Sequence, residues 1–275
     1  MPDQLADVFD RTVSEGDRRL HRSWPELLAT GAVGGIDISL GVFALLLVKQ
    51  ATGSEMASSL AFSIGFVCLT LANSELFTEN FLVPVAALAA KRARWPALAR
   101  LWFFTLLTNL AGGWLVMAIV MGGFPRLRPA AVEVGAHYAQ QGIGWESLAG
   151  AILGGLIITL MTWMERSSEA ITGKLAAAVV AGFLLAAGPL NHAIVVSLEM
   201  FAGSVAGAPY SYGQWFGVLL WASFGNVVGG IGLVTGLRLV QVGRREIEDQ
   251  QDGGRGRGRG RRGGRGAAPK DAAGG

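Results

Sequence analysis

Hydrophobic positions along the chain group into six long apolar segments, separated by short polar connections. A bilayer core about 30 Å thick requires roughly 20 apolar residues of helix to cross it, and each segment is long enough. The six predicted spans are approximately 28–49, 57–90, 97–122, 145–164, 173–205 and 213–240. This pattern predicts an all-α membrane protein with six transmembrane spans. Charged residues make up only 16% of the chain, well below the usual fraction in soluble domains.

The second and fifth segments are longer than one crossing needs, and each is interrupted near its middle. The second contains "ANSELFTEN" (72–80) and the fifth contains "AAGPLNHA" (186–193), where Pro189 removes a backbone donor. Paired broken helices at matching places in two three-span halves indicate an internal repeat. Because three is an odd number, the two halves must have opposite topology. We therefore predict an inverted three-plus-three repeat, with the two breaks facing each other inside the protein.

Basic residues are distributed unequally between the two sides of the predicted membrane domain. Of the 23 lysine and arginine residues, all but Lys49, Arg126 and Arg128 fall on the side that carries both termini. Basic residues are enriched on the cytoplasmic side of membrane proteins. Both termini are therefore predicted to be cytoplasmic, and the lipid bilayer is the predicted surrounding.

Three regions follow from this division. Residues 1–27 are predicted as a cytoplasmic segment that forms an amphipathic helix, residues 28–240 as the six-span domain, and residues 241–275 as a disordered tail. The connection over 122–144 is predicted as the longest outer loop. The tail carries seven positive charges between Gly253 and Lys270. It fits a solvated, topology-setting segment, and it could also bind anionic lipid, acidic proteins or nucleic acid.

His192 is the one residue inside the spans that is expected to titrate near neutral pH. Ionisable groups at this depth are functional candidates, although a neutral histidine could also serve packing alone. A half-helix that starts inside the membrane directs its free N–H groups and its positive dipole end toward the interior. Two such ends are expected to bind a small anion, with Asn73 or Ser74 capping the second span and Asn191 donating to the ligand.

The segments "FSIGFVCLTLANSELFTENFLV", "GPLNHAIVVSLEMFAG" and "GNVVGG" resemble the formate/nitrite transporter family, and the similarity extends over most of residues 28–240. The resemblance implies a homopentamer in which each protomer has its own aquaporin-like pore. It also implies the passage of small monovalent anions of weak acids, such as formate or nitrite. The chain is most similar to less characterised members in the bacterial inner membrane.

The resemblance also assigns residues to the permeation path. Thr78 matches the threonine that hydrogen-bonds the central histidine, and His192 matches that histidine, which is thought to protonate the anion. Phe62 and Phe66 match an apolar constriction on the cytoplasmic side. Leu185 falls where many members place an aromatic residue in the outer constriction.

Other positions match the family less closely. Asn226 corresponds to an asparagine of the last span. By contrast, Asn191 replaces an acid before the histidine, Glu79 follows the threonine, Gly155 replaces a frequent pore asparagine, and Glu199 adds an acid to the fifth span. An acid near the site repels an anion unless it is paired or protonated. We also find no clear basic residue that draws anions in from the outer loop.

These observations favour a channel for small weak-acid anions, with a central histidine that protonates the permeating anion. An alternative is a membrane scaffold with a non-conducting pore, whose tail recruits RNA, acidic partners or anionic lipid. A neutral-solute channel of the aquaporin type is disfavoured, because neither break contains a paired Asn-Pro-Ala. The sequence contains no nucleotide-binding fingerprint and no zinc-ligand spacing, so we predict no enzyme activity, no cofactor and no metal.

Overall fold

The computed structural model describes residues 2–251, which are almost entirely helical. The helices are α1 (Pro2–Leu20), α2 (Trp24–Thr52), α3 (Glu55–Ala72), α4 (Val83–Ala89), α5 (Trp95–Gly123), α6 (Arg128–Gln141), α7 (Trp145–Ser167), α8 (Ile171–Ala187), α9 (Ala193–Ala206), α10 (Tyr212–Val227) and α11 (Gly236–Val242). Short 3₁₀ helices cover Phe77–Phe81 and Pro125–Leu127, and a π-helical stretch, Val228–Thr235, joins α10 to α11.

The six predicted spans are confirmed. Five helices are long and apolar enough to cross a membrane, namely α2, α3, α5, α7 and the continuous segment Tyr212–Val242. The second span consists of α3, a break over residues 73–82 and the short α4. The fifth span consists of α8 and α9, each too short to be counted alone, with a break over residues 188–192 between them.

The inverted repeat is visible where the first and third spans of each half cross. A Cβ atom on Gly35 of α2 would lie 2.0 Å from the carbonyl oxygen of Asn109 on α5. In the second half, a Cβ atom on Gly155 of α7 would lie 2.2 Å from the carbonyl oxygen of Asn226 on α10. Both pairs of helices approach so closely that only glycine fits at the crossing.

Helix α1 packs along the short α4 instead of lying free in the interface. Phe9 and Val13 are buried against Ala86 and Ala90, while the opposite face of α1 is polar. The amphipathic helix predicted for the N-terminal segment is therefore present. It covers the end of the broken second span, and the first span begins at Trp24, four residues earlier than predicted.

The outer connection is not a loop as predicted, because residues Arg128–Gln141 form helix α6. Proline stands in the first turn, where a missing N–H has no helical partner to lose. Small residues then allow α6 to pack closely on α9. A Cβ atom on Gly135 would lie 3.0 Å from the carbonyl oxygen of Glu199. The prediction failed because this segment is too polar and too short to resemble a span.

The predicted boundary of the disordered tail is also wrong. Residues 241–242 complete α11, and residues 244–251 form about two further helical turns that pack on α1. Ile247 joins the cluster around Phe9, and Gln250 accepts a hydrogen bond from Arg92 and donates one to Asp10. The rest of the tail, 252–275, lies outside the described residues, so its predicted disorder stays a prediction.

Candidate functional site

The two breaks meet at Thr78 and His192, whose Oγ1 and Nε2 atoms are 2.7 Å apart. Both side chains are completely buried. His192 is the N-cap of α9, and its Nδ1 accepts a hydrogen bond from the backbone N–H of Val195 at 3.4 Å. Because Nδ1 accepts, the neutral ring carries its proton on Nε2 and donates it to the threonine. The hydrogen of the Thr78 hydroxyl is then available to a ligand.

Asn226 holds the second break in place from the sixth span. Its Oδ1 accepts from the N–H of Ala193 at 2.9 Å. Its Nδ2 donates to the carbonyl oxygens of Ala151 at 2.7 Å and Asn191 at 2.9 Å. The amide thus uses its acceptor and one donor on the backbone of the break, and its other donor on a carbonyl oxygen of α7. Asn226, predicted as a pathway residue, has no polar group left for a solute in this arrangement.

Asn109 makes the same contacts at the first break. Its Oδ1 accepts from the N–H of Phe77 at 2.8 Å, and its Nδ2 donates to the carbonyl oxygens of Gly31 at 2.7 Å and Glu75 at 2.9 Å. The sequence analysis did not identify this residue. The signal was available, because "NLAGG" (109–113) in the third span and "NVVGG" (226–230) in the sixth share one pattern.

The predicted caps of the first break are wrong. Asn73 ends α3 in the left-handed conformation with φ of 53°, which asparagine tolerates better than most residues. Ser74 donates to the carboxylate of Asp37 on the first span. The N–H of Leu76 is instead accepted by the Glu79 side chain at 3.1 Å. The acid that follows Thr78 is therefore engaged with the backbone of its own break.

A second acid in the break, Glu75, is paired with arginines from the N-terminal segment. Arg22 donates to Glu75 Oε2, and the Arg19 guanidinium lies 3.5 Å from the same oxygen. Arg19 also donates to Asn80 Oδ1 at 3.2 Å and to Glu15 Oε1 at 2.9 Å. The side chains around Glu75 in this cluster are mostly buried, namely those of Arg19, Arg22 and Glu15. Sequence reasoning treated these arginines only as topology signals, because charged residues in a terminal segment usually face water.

The two phenylalanines of the predicted apolar constriction, which we call the Phe62–Phe66 layer, belong to the main buried core. Phe62 and Phe66 are fully buried, with ring centroids 5.8 Å apart in an edge-to-face arrangement. Phe66 packs against α8 at Gly182. The pair lies in the middle of α3, before the break. The cytoplasmic side implied by the resemblance stays a prediction.

A cavity of about 610 Å³ opens above this layer, and we call it the vestibule. Leu185 and Pro189 form part of its wall, together with Val195 and Glu199 of α9. Leu185 therefore lies at the boundary between the vestibule and the buried core, and its role in an outer constriction stays a prediction. Asn191 is buried in the second break, and its Oδ1 has no hydrogen-bond partner among the described residues. A ligand could use that oxygen only as an acceptor.

The mouth of the vestibule carries one basic side chain, Lys49. Its ammonium contacts the carboxylates of Glu55 and Glu133, the latter at 3.1 Å. The sequence analysis found no clear basic residue that draws anions in from the outer loop, and Lys49 is the lysine that the structure places at this mouth. Its charge is already compensated by two acids, so it is a weak attractor for an incoming anion.

Comparison with known proteins gives a consistent result. Residues 6–240 match the family model described as "Formate/nitrite transporter". The chain is 25% identical over 254 residues to the inner membrane protein YfdC of Escherichia coli K12, covering 84% of this chain and 76% of that protein. It is 25% identical over 252 residues to the uncharacterized transporter YrhG of Bacillus subtilis, covering 85% of this chain and 91% of that protein. It is 24% identical over 234 residues to the formate channel FocA of Escherichia coli K12, covering 74% of this chain and 81% of that protein.

Two solved structures have the same fold. An FNT family ion channel superposes with a TM-score of 0.72 at 19% identity, covering 84% of this chain and 96% of that one. A pentameric formate channel with formate bound gives a TM-score of 0.61 at 19% identity, covering 77% and 94%. These likenesses support the six-span architecture with two broken helices.

Proposed function

Because this chain belongs to the formate/nitrite transporter family, we propose that it is a channel for small monovalent anions of weak acids, such as formate or nitrite. The observation that carries the proposal is the buried contact between Thr78 and His192, where the two breaks meet. A channel needs polar groups at mid-membrane, and this pair joins the two breaks there, next to the buried Phe62–Phe66 layer.

The proposed mechanism places the solute at the contact between Thr78 and His192, a position that we call the chamber. It begins with an anion that reaches Thr78. The threonine hydroxyl donates to it, since its own oxygen accepts from His192. Moving a bare anion through the Phe62–Phe66 layer would cost several kcal/mol. His192 in its imidazolium form transfers a proton to the anion, which leaves neutral imidazole and a neutral acid. The neutral acid passes the apolar layer and releases its proton on the far side, and the imidazole is reloaded from either side.

Assembly and location follow the same reasoning. We propose a homopentamer, since a formate channel of the same fold is described as pentameric. We place the protein in a bacterial inner membrane, with both termini in the cytoplasm. The apolar side chains exposed on the outside of the protomer, such as Leu115, Ile119 and Phe103, fit contact with lipid or with neighbouring protomers.

Uptake into proteoliposomes tests the proposal. Labelled formate, nitrite, acetate, lactate and hydrosulfide are compared across pH for the native protein and for His192→Asn. The native protein is expected to conduct at least one of these solutes, and the variant is expected to lose the pH response. His21→Asn is the matched control, because His21 is exposed outside the spans. A native protein that conducts none of the five, with or without residues 252–275, would reject a channel and leave the scaffold.

A further inference from the structure

A buried acid lies on the same face of α9 as His192. Val195 and Glu199 follow the histidine at the third and seventh positions, and this spacing places all three on one side of a helix. Val195 and Glu199 line the vestibule. Glu199 is 4% exposed, and its Oε2 has no hydrogen-bond partner among the described residues. Seven residues of helix separate the carboxyl from the histidine by roughly 10 Å.

The charged and titratable groups around Glu199 come from several elements. Lys49 of α2 and Glu55 of α3 stand at the vestibule mouth, while α6 contributes Glu133, His137 and Tyr138. Tyr138 is the direct neighbour of the carboxyl, and Tyr210 lies nearby. Helix α10 contains no charged residue, and Arg100, the single one in α5, bonds to the carbonyl oxygens of Leu20 and Arg22 instead.

These surroundings leave the Glu199 carboxyl without a counter-ion. Burying a carboxylate that lacks a partner is unfavourable by several kcal/mol. The Lys49 ammonium could compensate it, but two other carboxylates already hold that group. The Tyr138 hydroxyl beside the carboxyl is neutral and does not balance its charge. What remains to do so is a proton or a polar ligand in the vestibule. The vestibule thus contains three carboxyl groups and one ammonium, a poor arrangement for attracting a bare anion.

We propose that Glu199 is the proton-exchange group of the vestibule, and that a permeating weak acid gains or loses its proton there. In the inward direction, the carboxylic acid of Glu199 gives its proton to an oxygen of the arriving anion. This step produces the Glu199 carboxylate and the neutral acid, and the carboxylate then takes a proton from a hydronium ion at the mouth, which leaves water. The reverse step operates on exit. The inference rests on the proposed function, and it adds a proton site outside the Thr78–His192 chamber.

The proposal narrows the class of solute. Formate and nitrite are conjugate bases of weak acids, so they can accept a proton from a carboxyl group. Nitrate and chloride are conjugate bases of strong acids and cannot. Discrimination between formate and nitrate is therefore expected at the vestibule, although the two anions have similar size and the same charge.

The test measures formate and nitrate uptake into proteoliposomes at pH 5.5 and 7.5, with an internal pH dye reporting proton movement. Glu199→Gln preserves shape and removes the proton. It is expected to lower formate flux about tenfold at pH 7.5, yet to stay within about threefold of the native rate at pH 5.5, where bulk water supplies more neutral acid. A tenfold loss corresponds to about 1.4 kcal/mol in the barrier. Glu146→Gln, an exposed acid at the start of α7, is the matched control and is expected to match the native protein.

Several results would overturn the proposal. An unchanged pH profile in Glu199→Gln, or an equal loss at both pH values, rejects proton exchange at this carboxyl while leaving the channel intact. If Glu199→Gln does not assemble, Glu199→Asp serves instead, and it is expected to lose flux severalfold at pH 7.5 only. If the native protein conducts another of the five weak-acid solutes and not formate, that solute replaces formate in this test. A native protein that conducts none of the five rejects the proposed function, and this inference with it.

Discussion

The two breaks share one scaffold but differ in their charges. In each, an asparagine from the third span of its half accepts one backbone N–H and donates to two backbone carbonyls. The first break holds the acids Glu75 and Glu79, and it is neutralised by arginines from outside the spans. The second break holds no acid, and its titratable group is His192. The scaffold is therefore symmetric, and the chemistry is not.

This difference separates two tasks that the sequence alone presents together. Polar residues in a membrane segment can either satisfy the backbone or contact a solute. The side-chain amides of Asn109 and Asn226 form all their hydrogen bonds with backbone groups. The Thr78 oxygen accepts from His192, and its hydroxyl hydrogen remains available to a solute. A substitution should therefore damage assembly at the first pair and permeation at the second.

The largest effect is expected from replacing either of the two asparagines that hold the breaks, Asn109 and Asn226, which we call the clamps. Asn109→Leu or Asn226→Leu leaves two backbone groups of its break, one N–H and one carbonyl, without partners. Each such group costs about 1–3 kcal/mol, so the total is roughly 2–6 kcal/mol. We expect both variants to lose the folded, assembled protein to a similar extent, measured by size-exclusion yield and apparent melting temperature in detergent.

Asn73→Gly is the control for the clamp variants. Asn73 also lies at a break, but it is exposed and left-handed, a conformation that glycine adopts without strain. The size-exclusion yield of the Asn73→Gly variant should equal that of the native protein. If one clamp variant assembles normally while the other does not, the symmetry of the scaffold is refuted.

The next effect is expected at the first break alone. Arg22→Gln removes a partner of the buried Glu75 carboxylate, a change that typically costs about 3–5 kcal/mol. Arg19 remains 3.5 Å away and should reduce the loss toward the lower value. We expect α1 to leave the first break, which tryptic cleavage within residues 2–20 would detect. Arg18→Gln, which removes a mostly exposed arginine and one cleavage site, should be cleaved at Arg11 at the native rate. Equal protection of the two variants would contradict the neutralising role of Arg22.

A smaller, matched effect is expected at the helix crossings. Gly35→Ala and Gly155→Ala each force a methyl group to within about 2 Å of a carbonyl oxygen, and such overpacking typically costs about 1–3 kcal/mol. The apparent melting temperatures should fall by similar amounts. Gly122→Ala has no neighbouring atom within 4 Å and should be neutral or slightly stabilising. A fall at only one crossing would show that the two halves are not packed alike.

The smallest expected effect concerns the docking of α1 at low pH. Burial raises the pKa of Glu15, but hydrogen bonds from Arg18 and Arg19, with the Arg19 charge, outweigh it and lower the pKa from 4.5 to about 2. The stabilisation that the ionised Glu15 carboxylate gives to the folded state is therefore complete above pH 4.5 and is lost as the pH falls toward 2. A spin label at Ala6→Cys, in a Cys68→Ser background, should become more mobile over this interval. Constant mobility down to pH 2 would contradict the prediction.

The architecture could be predicted from the sequence because bilayer thickness fixes span length, and backbone polarity restricts where a span can break. The pairing of Thr78 with His192 came from the family resemblance. Asn109 was missed because one amide in an apolar span appears tolerable, although burial demands partners for it. Helix α6 and the arginine contacts of Glu75 were missed for another reason. They depend on tertiary packing that no local pattern encodes.

The most direct test of the central claim is the initial rate of formate uptake by Thr78→Val and Thr78→Ser proteoliposomes at equal protein content. Valine keeps the shape of threonine and removes the hydroxyl, whereas serine keeps the hydroxyl. A hydrogen bond to a charged group contributes about 1.5–3 kcal/mol. The serine variant should therefore stay close to the native rate, and the valine variant should lose about tenfold or more while assembling normally. An assembled valine variant with the native rate would contradict a permeation chamber between the two breaks.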